Sequence, residues 1–215
     1  IFGRQTGTYR VIDALATLAF DFPSTHPRAA ARQAFFRDEL EQFLNLMHRG
    51  GGDPLSLRVS YAGAIGMPQF MPSSIAKYAV DFDDDGRIDL SRSATDVIGS
   101  VANYFKAFGW TAGNPTHFDI QFDPSSVDMD SLLAPDILPT FSPASIEKLG
   151  VRLNDAGKAY AGKLALIELQ MGALPAKYVA GTDNFYTITR YNWSSYYAMA
   201  VIELGQAIAK EVRER

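Results

Sequence analysis

Residues 81–110 read DFDDDGRIDLSRSATDVIGSVANYFKAFGW, an acidic loop followed by an amphipathic segment. The loop carries carboxylates at its first, third and fifth positions and glycine at its sixth, namely Asp81, Asp83, Asp85 and Gly86. This spacing matches the start of an EF-hand loop, in which alternate side chains converge on one Ca²⁺ ion. The next position, Arg87, would supply its backbone carbonyl oxygen, and Ile88 could then pack into the core. The spacing therefore predicts a calcium site.

The match to an EF-hand fails at the twelfth position, where Arg92 stands in place of a bidentate glutamate. The closing carboxylate must come from elsewhere, and Asp96 is a better candidate than Asp89. A solvated turn without metal is the alternative, less favoured because neighbouring carboxylates repel unless a cation joins them. Mg²⁺ is less favoured because it usually keeps several waters. We expect a structural role for Ca²⁺, since the loop carries no open-site chemistry.

Helical periodicity dominates the chain outside this loop. The segment after the loop predicts a helix over 96–108, with Thr95 as its N-cap and Gly109 beyond its end. Apolar residues recur at helical spacing in further segments, which predict helices over 8–20, 28–48, 73–79 and 194–213. The N-caps expected for three of these helices are Thr8, Ser73 or Ser74, and Ser194 or Ser195. The pattern favours a mainly α fold.

The composition changes between residues 111 and 182, where Pro and Gly separate short segments. Residues 117–123 and 163–171 alternate apolar and polar side chains, which predicts strands. We therefore expect a small α+β insertion over 111–182. It would interrupt a helical domain made of residues 1–110, including the EF-hand-like loop, and residues 183–215.

Composition excludes several classes of function. The 215-residue chain has a net charge of -4 and no run of Lys or Arg, so we expect no nucleic-acid partner. No apolar run reaches the length of a membrane span, and a chain that begins at Ile1 without Met shows nothing of export or of membrane anchoring. The absence of cysteine excludes disulfides, thiolate nucleophiles and Cys-based zinc sites.

Motifs of serine hydrolases, zinc peptidases and nucleotide-binding proteins are absent from the sequence. The histidines stand in separate segments and are expected at the surface or at helix ends: His26, His48 and His117. Glu39 and Glu41 are expected on a solvated helix face. Glu203, which stands among apolar residues, could be partly buried.

Four longer segments follow one another in a fixed order. They are RVIDALATLAF (10–20), SYAGAIGMPQFMPSS (60–74), DVIGSVANYFKAFGW (96–110) and NFYTITRYNWSSYYAMAVIELGQAI (184–208). Together they resemble the lytic murein transglycosylases of the membrane-bound lytic transglycosylase B type. The acidic loop fits as well, since that family carries an EF-hand-like calcium site. The resemblance runs from end to end and is weakest over residues 111–182.

This resemblance implies a lysozyme-like α-helical fold and cleavage of the MurNAc-β-1,4-GlcNAc bond without water, which leaves a 1,6-anhydromuramoyl product. In the family one glutamate protonates the leaving oxygen and then takes the proton of the sugar's C6 hydroxyl. That glutamate lies in a V-E-T-x-[FW]-G stretch, and Ile1, Phe2 and Gly3 match its last three positions. The catalytic Glu is therefore expected two residues before Ile1, and none of the chain's own residues is assigned that role.

The resemblance also implies substrate-binding residues, which are Ser60, Gln69, Tyr104, Tyr191, Asn192 and Tyr197. Tyrosine rings can stack on sugar faces, and amides can recognise N-acetyl groups through a paired donor and acceptor. The implied partner is the glycan strand of peptidoglycan, in the periplasm of a bacterial cell envelope. A lipid anchor to the outer membrane in a full-length protein is left open, and we expect the chain to act as a monomer.

Two alternatives stay open. A calcium-stabilised module that binds peptidoglycan without cleaving it would have some residue other than Glu two positions before Ile1. A hydrolytic, lysozyme-like muramidase would use the same binding residues and leave reducing ends instead of anhydro ends.

Overall fold

The computed structural model describes residues 7–214, and the chain divides into two compact units, Ile1–Ala107 and Phe108–Arg215. The described residues are mainly helical, and an antiparallel four-stranded sheet lies in the second unit. The prediction of a mainly α fold with a small β-containing part is thus confirmed. The grouping of 183–215 with 1–110 as one domain stays a prediction. Within the described residues, none of the helices combines the length and the hydropathy that a membrane crossing requires.

The first unit is built around two long packed helices. Its elements are β1 (Tyr9–Arg10), α1 (Val11–Phe20), α2 (Ala29–Gly50), β2 (Arg58–Val59), α3 (Pro72–Tyr78) and α4 (Ala94–Ala107). Val11 and Leu15, one helical turn apart on α1, pack with Phe36 and Phe43, two turns apart on α2. These spacings place one apolar face of each helix toward the other.

The predicted helix starts need correction in this unit. The first helix begins at Val11 because Tyr9 and Arg10 pair with β2, and Thr8 is therefore not its N-cap. The predicted cap Thr95 is also wrong, because α4 already begins at Ala94 and Ser93 Oγ accepts the N–H of Asp96 at 3.1 Å. A strand pair and a cap one position away are not visible in apolar periodicity.

The start of α3 is capped by a residue from α2. The helix begins at Pro72, so neither Ser73 nor Ser74 is the N-cap residue. Glu39 accepts the backbone N–H of Ser73 at 2.8 Å and its Oγ–H at 2.6 Å. The prediction that Glu39 lies on a solvated face is wrong, since its side chain is only 3% exposed. Its carboxylate satisfies a donor that the first helical turn cannot satisfy itself.

The second unit contains the sheet. Its elements are β3 (His117–Gln121), a 3-10 turn (Pro124–Ser126), α5 (Met129–Leu133), α6 (Pro143–Lys148), β4 (Arg152–Leu153), α7 (Asp155–Lys158), β5 (Ala165–Met171), β6 (Leu174–Gly181), α8 (Asp183–Thr189) and α9 (Ser195–Arg213). The strand order is β4-β3-β6-β5. The strands predicted at 117–123 and 163–171 are confirmed as β3 and β5. Strand β6 was not predicted from the sequence, although Gly172, with φ 65°, lies in the tight turn before it.

Both faces of this sheet are covered. Ala165, Ile167 and Leu169 of β5 pack with residues of α8 and α9, such as Phe185 and Met199. Leu166 of β5 and Leu164, which directly precedes the strand, pack with residues of α5 and α6. Successive side chains of a strand point to opposite faces, so a strand buried on both sides is apolar at nearly every position.

Helix α9 begins as predicted, since Ser194 Oγ accepts the N–H of Tyr197 at 3.2 Å. The apolar stripe expected along the whole helix is buried only in its first half, at Ala198, Met199 and Ile202. Glu203 is exposed, so the prediction of a partly buried Glu203 is wrong.

Replacing Glu39 tests the cap of α3. Glu39→Ala leaves the part-buried N–H of Ser73 without its acceptor, and we expect the free energy of unfolding to fall by about 1–3 kcal/mol. Urea unfolding measures the change. The matched control is Glu41→Ala on the exposed part of the same helix, with an expected change within about 0.5 kcal/mol. Equal effects of the two substitutions would contradict the cap.

Alkaline titration tests the bond between the last two strands of the sheet. Tyr178 donates its O–H to the Glu168 carboxylate at 2.7 Å, and this bond raises the pKa of Tyr178 to about 12. The folded pKa lies above the unfolded one, so the stabilisation is full below the ordinary pKa of 10.0 and is lost as pH rises toward about 12. The difference in tyrosinate absorbance between the unsubstituted protein and Tyr178→Phe should show a tyrosine with a pKa of about 12. In Glu168→Gln that tyrosine should titrate earlier.

Candidate functional site

Three carboxylates converge between α3 and α4. Oxygens of Asp81, Asp83 and Asp96 all lie within 4.8 Å of one another. Asp96 lies in the first turn of α4, where the sequence predicted the closing carboxylate. Asp85 is not among the converging residues, because its Oδ1 accepts the N–H of Arg87 at 2.9 Å. Asp85 and the carbonyl of Arg87 therefore stay predicted ligands.

Asp96 is the buried member of this triad. Its side chain is 1% exposed, and its two oxygens accept backbone N–H groups from Asp89 at 2.8 Å and from Phe82 at 2.9 Å. The bond from Asp89 and then the bond from Phe82 lower the pKa of Asp96. Hydrogen bonds that favour the charged form keep this carboxylate ionised although it is buried.

The other two carboxylates are held by the loop itself. Asp81 accepts the N–H of Gly86 at 2.8 Å and that of Asp85 at 3.2 Å. Gly86 has φ 87°, the sharp turn that its position in the loop predicts. Asp83 accepts the O–H of Ser93 at 2.9 Å. The loop therefore presents its carboxylates toward one point.

The chemistry of these donors fits a hard cation. Among residues 7–214, no basic side chain forms an ion pair with any of the three carboxylates. Three negative charges this close repel, and a divalent cation with oxygen ligands would relieve the repulsion. The triad can therefore bind a metal.

Ile88 does not pack into the core as expected, since it is 51% exposed and borders an open apolar cavity of about 570 Å³.

A glycine lets the acidic loop lie against α4. A Cβ atom at Gly99 would stand 2.3 Å from Cγ of Phe82, far closer than two non-bonded carbon atoms approach. The next residue of the same helix contacts the chain just before the acidic loop, since Ser100 Oγ accepts the N–H of Val80 at 3.0 Å. The close approach brings Asp81 and Asp83 to the turn that carries Asp96.

Gln69 lies at the tip of a short hairpin that precedes α3. Ile65 and Phe70 pair through two backbone hydrogen bonds of 2.8 and 3.1 Å. Gln69 has φ 54°, a left-handed conformation that is uncommon for any residue except glycine. Its backbone N–H and its side-chain amide both donate to the carbonyl of Gly66, at 3.1 and 2.8 Å. Strained residues of this kind are concentrated at functional sites.

The other predicted binding residues of the first unit differ in exposure. Ser60 is half-buried, and its Oγ accepts the N–H of Ala64 at 3.3 Å, which leaves its hydroxyl proton to donate. Tyr104 is 7% exposed, and its ring packs against those of Phe70 at 5.5 Å and Tyr78 at 5.1 Å. Tyr104 thus supports the hairpin that carries Gln69.

The binding residues predicted in the second unit lie in the turn between α8 and α9 and in the first turn of α9. The rings of Tyr191 and Tyr197 stack with centroids 6.2 Å apart and an angle of 7°. Burial raises the pKa of Tyr197. Asn192 is exposed, and its carbonyl accepts the N–H of Ser194 at 2.7 Å. The exposed Asn192 thus directly follows Tyr191, one of the two stacked rings.

Arg190 is a residue of this turn that the sequence did not single out. Its guanidinium lies over the rings of Phe108, Tyr186 and Trp193, at 5.5, 5.7 and 5.8 Å from their centroids. Two of these rings stand four residues before and three residues after Arg190. That spacing is a signal for contact which the sequence already contained.

Comparison with known proteins gives a consistent result. The family model described as a transglycosylase SLT domain matches residues 1–206. The membrane-bound lytic murein transglycosylase B of Escherichia coli K12 is 41% identical over 221 residues, which cover 97% of this chain and 53% of that protein. The chain thus spans about half the length of this curated relative. The stretch Ile1–Gly3, which matched the end of the catalytic motif, lies outside the described residues.

Solved structures resemble this one along almost the whole chain. The soluble lytic transglycosylase SltB1 of Pseudomonas aeruginosa has a TM-score of 0.84 at 45% identity, covering 100% of this chain and 67% of that one. The Escherichia coli lytic transglycosylase Slt35 in complex with calcium has a TM-score of 0.79 at 41% identity, covering 98% and 62%. SltB3 of Pseudomonas aeruginosa in complex with NAG-anhNAM-pentapeptide has a TM-score of 0.71 at 32% identity, covering 93% and 51%.

Enlarging Gly99 tests the seat of the acidic loop. Gly99→Ala should push Phe82 off α4 and lower the free energy of unfolding by about 1–3 kcal/mol, as overpacking does. The matched control is Gly205→Ala in α9, where a Cβ meets no atom within 4 Å. There the better helix propensity of Ala should stabilise the protein by about 0.5–1 kcal/mol. Thermal unfolding measures both, and effects of the same sign would contradict this interpretation of Gly99.

Proposed function

The chain belongs to the transglycosylase SLT domain family, and from this membership we propose that it forms the glycan-binding part of a peptidoglycan lytic transglycosylase. The observation that carries the proposal is the family match over residues 1–206, supported by 45% identity to SltB1 over the whole chain. The proposed reaction cleaves the MurNAc-β-1,4-GlcNAc bond without water and leaves a 1,6-anhydromuramoyl end.

The proposed reaction needs one group that serves first as acid and then as base. This group is the glutamate that the V-E-T-x-[FW]-G pattern predicts two residues before Ile1. It would protonate the leaving oxygen and then take the proton of the C6 hydroxyl as that oxygen attacks C1 of the same sugar. The nucleophile belongs to the substrate, so its effective concentration is very high and no water is needed. An apolar environment would raise the pKa of the glutamate and keep it protonated before the first step.

Ser60, Gln69 and Tyr104 of the first unit are proposed to bind the glycan. Ser60 Oγ accepts the N–H of Ala64 through a lone pair. This bond does not use the hydroxyl proton, which can therefore donate to a sugar oxygen. The amide of Gln69 keeps its carbonyl oxygen as an acceptor for an N-acetyl N–H, since only the NH₂ group bonds Gly66. Tyr104 holds the hairpin through its contact with Phe70.

The second unit supplies Tyr191, Asn192 and Tyr197 to the proposed glycan contacts. An exposed amide beside aromatic rings matches the needs of an N-acetylated sugar, which offers an apolar face and an amide. The related SltB3 binds NAG-anhNAM-pentapeptide, which is the type of product that this reaction forms.

Calcium is the proposed occupant of the triad, and its role is structural. The related Slt35 is known in complex with calcium, and Asp81, Asp83 and Asp96 offer the oxygens that Ca²⁺ prefers. Bound Ca²⁺ would supply positive charge that joins the loop to α4.

The proposed location is the periplasm of a bacterial cell envelope. The name of the Escherichia coli relative describes it as membrane-bound, and peptidoglycan lies in that compartment. A lipid anchor of the full-length protein is compatible with this location. We propose that the protein acts on glycan strands as a monomer and has no nucleic-acid partner.

The products of murein digestion test the proposed reaction. The experiment uses the longest chain that the gene encodes, with the glutamate two residues before Ile1 confirmed by sequencing. Mass spectrometry should find anhydro-ended muropeptides, and replacement of that glutamate by Gln should lower the rate by at least about a hundredfold. Reducing ends, heavier by one water, would instead show a hydrolytic muramidase. Binding without any cleavage, and a different residue at that position, would show a binding module.

Removal of calcium tests the metal site. A ligand at a hundred times its Kd stabilises a protein by about 2.7 kcal/mol, so a chelator should lower Tm by roughly 5–10 °C. Asp83→Ala, which removes one converging carboxylate, should abolish the effect of the chelator. Asp84→Asn is the matched control, because Asp84 stands in the same loop outside the triad and Asn tolerates its φ of 61°. A chelator without effect on the unsubstituted protein would contradict the proposed calcium site.

A further inference from the structure

We propose that Gly66 and Leu90 form a positioning connection through which the acidic loop sets the conformation of Gln69. The inference rests on the proposed function, because the glycan contact of Gln69 is part of it. It assigns the loop a second task besides stability, which is to keep one substrate contact in its binding geometry.

Gln69 takes its orientation from Gly66. Two hydrogen bonds, from its backbone N–H and from its side-chain amide, end on the same carbonyl oxygen of Gly66. Gln69 has a strained φ of 54°, a conformation that its surroundings must hold. A shift of Gly66 therefore displaces the acceptor of both bonds, and the Gln69 side chain loses the contact that directs it.

Gly66 in turn lies against the backbone of Leu90. The N–H of Met67 donates to the Leu90 carbonyl at 2.9 Å. A Cβ atom at Gly66 would stand 2.7 Å from that same oxygen, and Gly66 has φ 70°. Both residues are buried, so the contact is shielded from water. Only glycine permits the hairpin to approach Leu90 this closely.

Leu90 belongs to the exit of the acidic loop. Its neighbour Asp89 donates its N–H to the buried carboxylate of Asp96 at 2.8 Å. The Asp89 carboxylate accepts the N–H groups of Ser91 and Arg92, each at 2.9 Å. The chain is thus fixed on both sides of Leu90. An unbroken series of contacts runs from the converging carboxylates through Leu90 to Gln69.

This series of contacts predicts that a substitution in the acidic loop, or at the contact between Gly66 and Leu90, weakens glycan binding even when the protein stays folded. Gly66→Ala should lower the affinity for NAG-anhNAM-pentapeptide by about five- to tenfold, the range of coupling between contiguous sites. The Met67 amide should exchange faster with solvent, because it loses its bond to Leu90. The control Gly51→Ala has a similar φ of 61° and a Cβ that meets no atom within 4 Å, so it should leave both readouts unchanged.

Gln69→Ala separates failure of this inference from failure of the proposed function. Unchanged glycan affinity in Gln69→Ala would show that the proposed role of Gln69 is wrong. Weakened binding in Gln69→Ala together with unchanged binding in Gly66→Ala, at a Met67 amide that has lost protection, would overturn the connection alone.

A measurement on the unsubstituted protein covers the case in which Gly66→Ala does not fold. Coupling between two sites is reciprocal, so the glycan fragment must raise the affinity for Ca²⁺ by the factor by which Ca²⁺ raises the affinity for the fragment. Calorimetric titration with Ca²⁺, with and without saturating NAG-anhNAM-pentapeptide, measures this factor. A tighter Ca²⁺ affinity in the presence of the fragment supports the connection, and equal affinities overturn it.

Discussion

The buried carboxylate of Asp96 is the constraint on which the first unit depends. Its oxygens bind the backbone N–H groups of Phe82 and Asp89, which stand near the beginning and the end of the acidic loop. A buried charge without donors is costly. The two N–H groups offset the cost of burying the Asp96 charge, and these bonds hold both ends of the loop against α4. The same geometry brings the carboxylates of Asp81 and Asp83 close to that of Asp96, so that the three charges repel one another. A bound cation would reduce this repulsion.

Two glycines extend this constraint to the rest of the unit. Gly99 lets Phe82 lie on α4, and Gly66 lets the hairpin lie on Leu90. In both places the missing side chain allows a contact that even a methyl group would prevent. The loop, the helix and the hairpin with Gln69 are therefore held by backbone contacts and by one carboxylate. The proposed metal site and the proposed glycan contact of Gln69 share this scaffold.

The second unit depends on a different feature, which is its sheet. Its sheet has apolar side chains on both faces, and helices cover each face. The rigid sheet supports α8 and α9, and the turn between them carries polar and aromatic groups that are exposed or half-buried. Arg190, held among three aromatic rings, orders the start of that turn, while the stack of Tyr191 on Tyr197 orders the rest. The binding residues proposed for this turn need such support, because a loop by itself holds its side chains less firmly.

The sequence by itself determined what depends on near neighbours. Apolar periodicity placed the main helices and two strands, and carboxylate spacing indicated the acidic loop whose Asp81 and Asp83 converge with Asp96. Tertiary structure alone decided the rest. Glu39 is buried because Ser73, 34 residues away, needs an acceptor, and Asp85 turns from the triad to the N–H of Arg87. The contact between the Met67 N–H and the Leu90 carbonyl likewise joins segments that are 23 residues apart. Local patterns record the faces of a helix or strand, whereas contacts between distant segments arise only when those faces have packed.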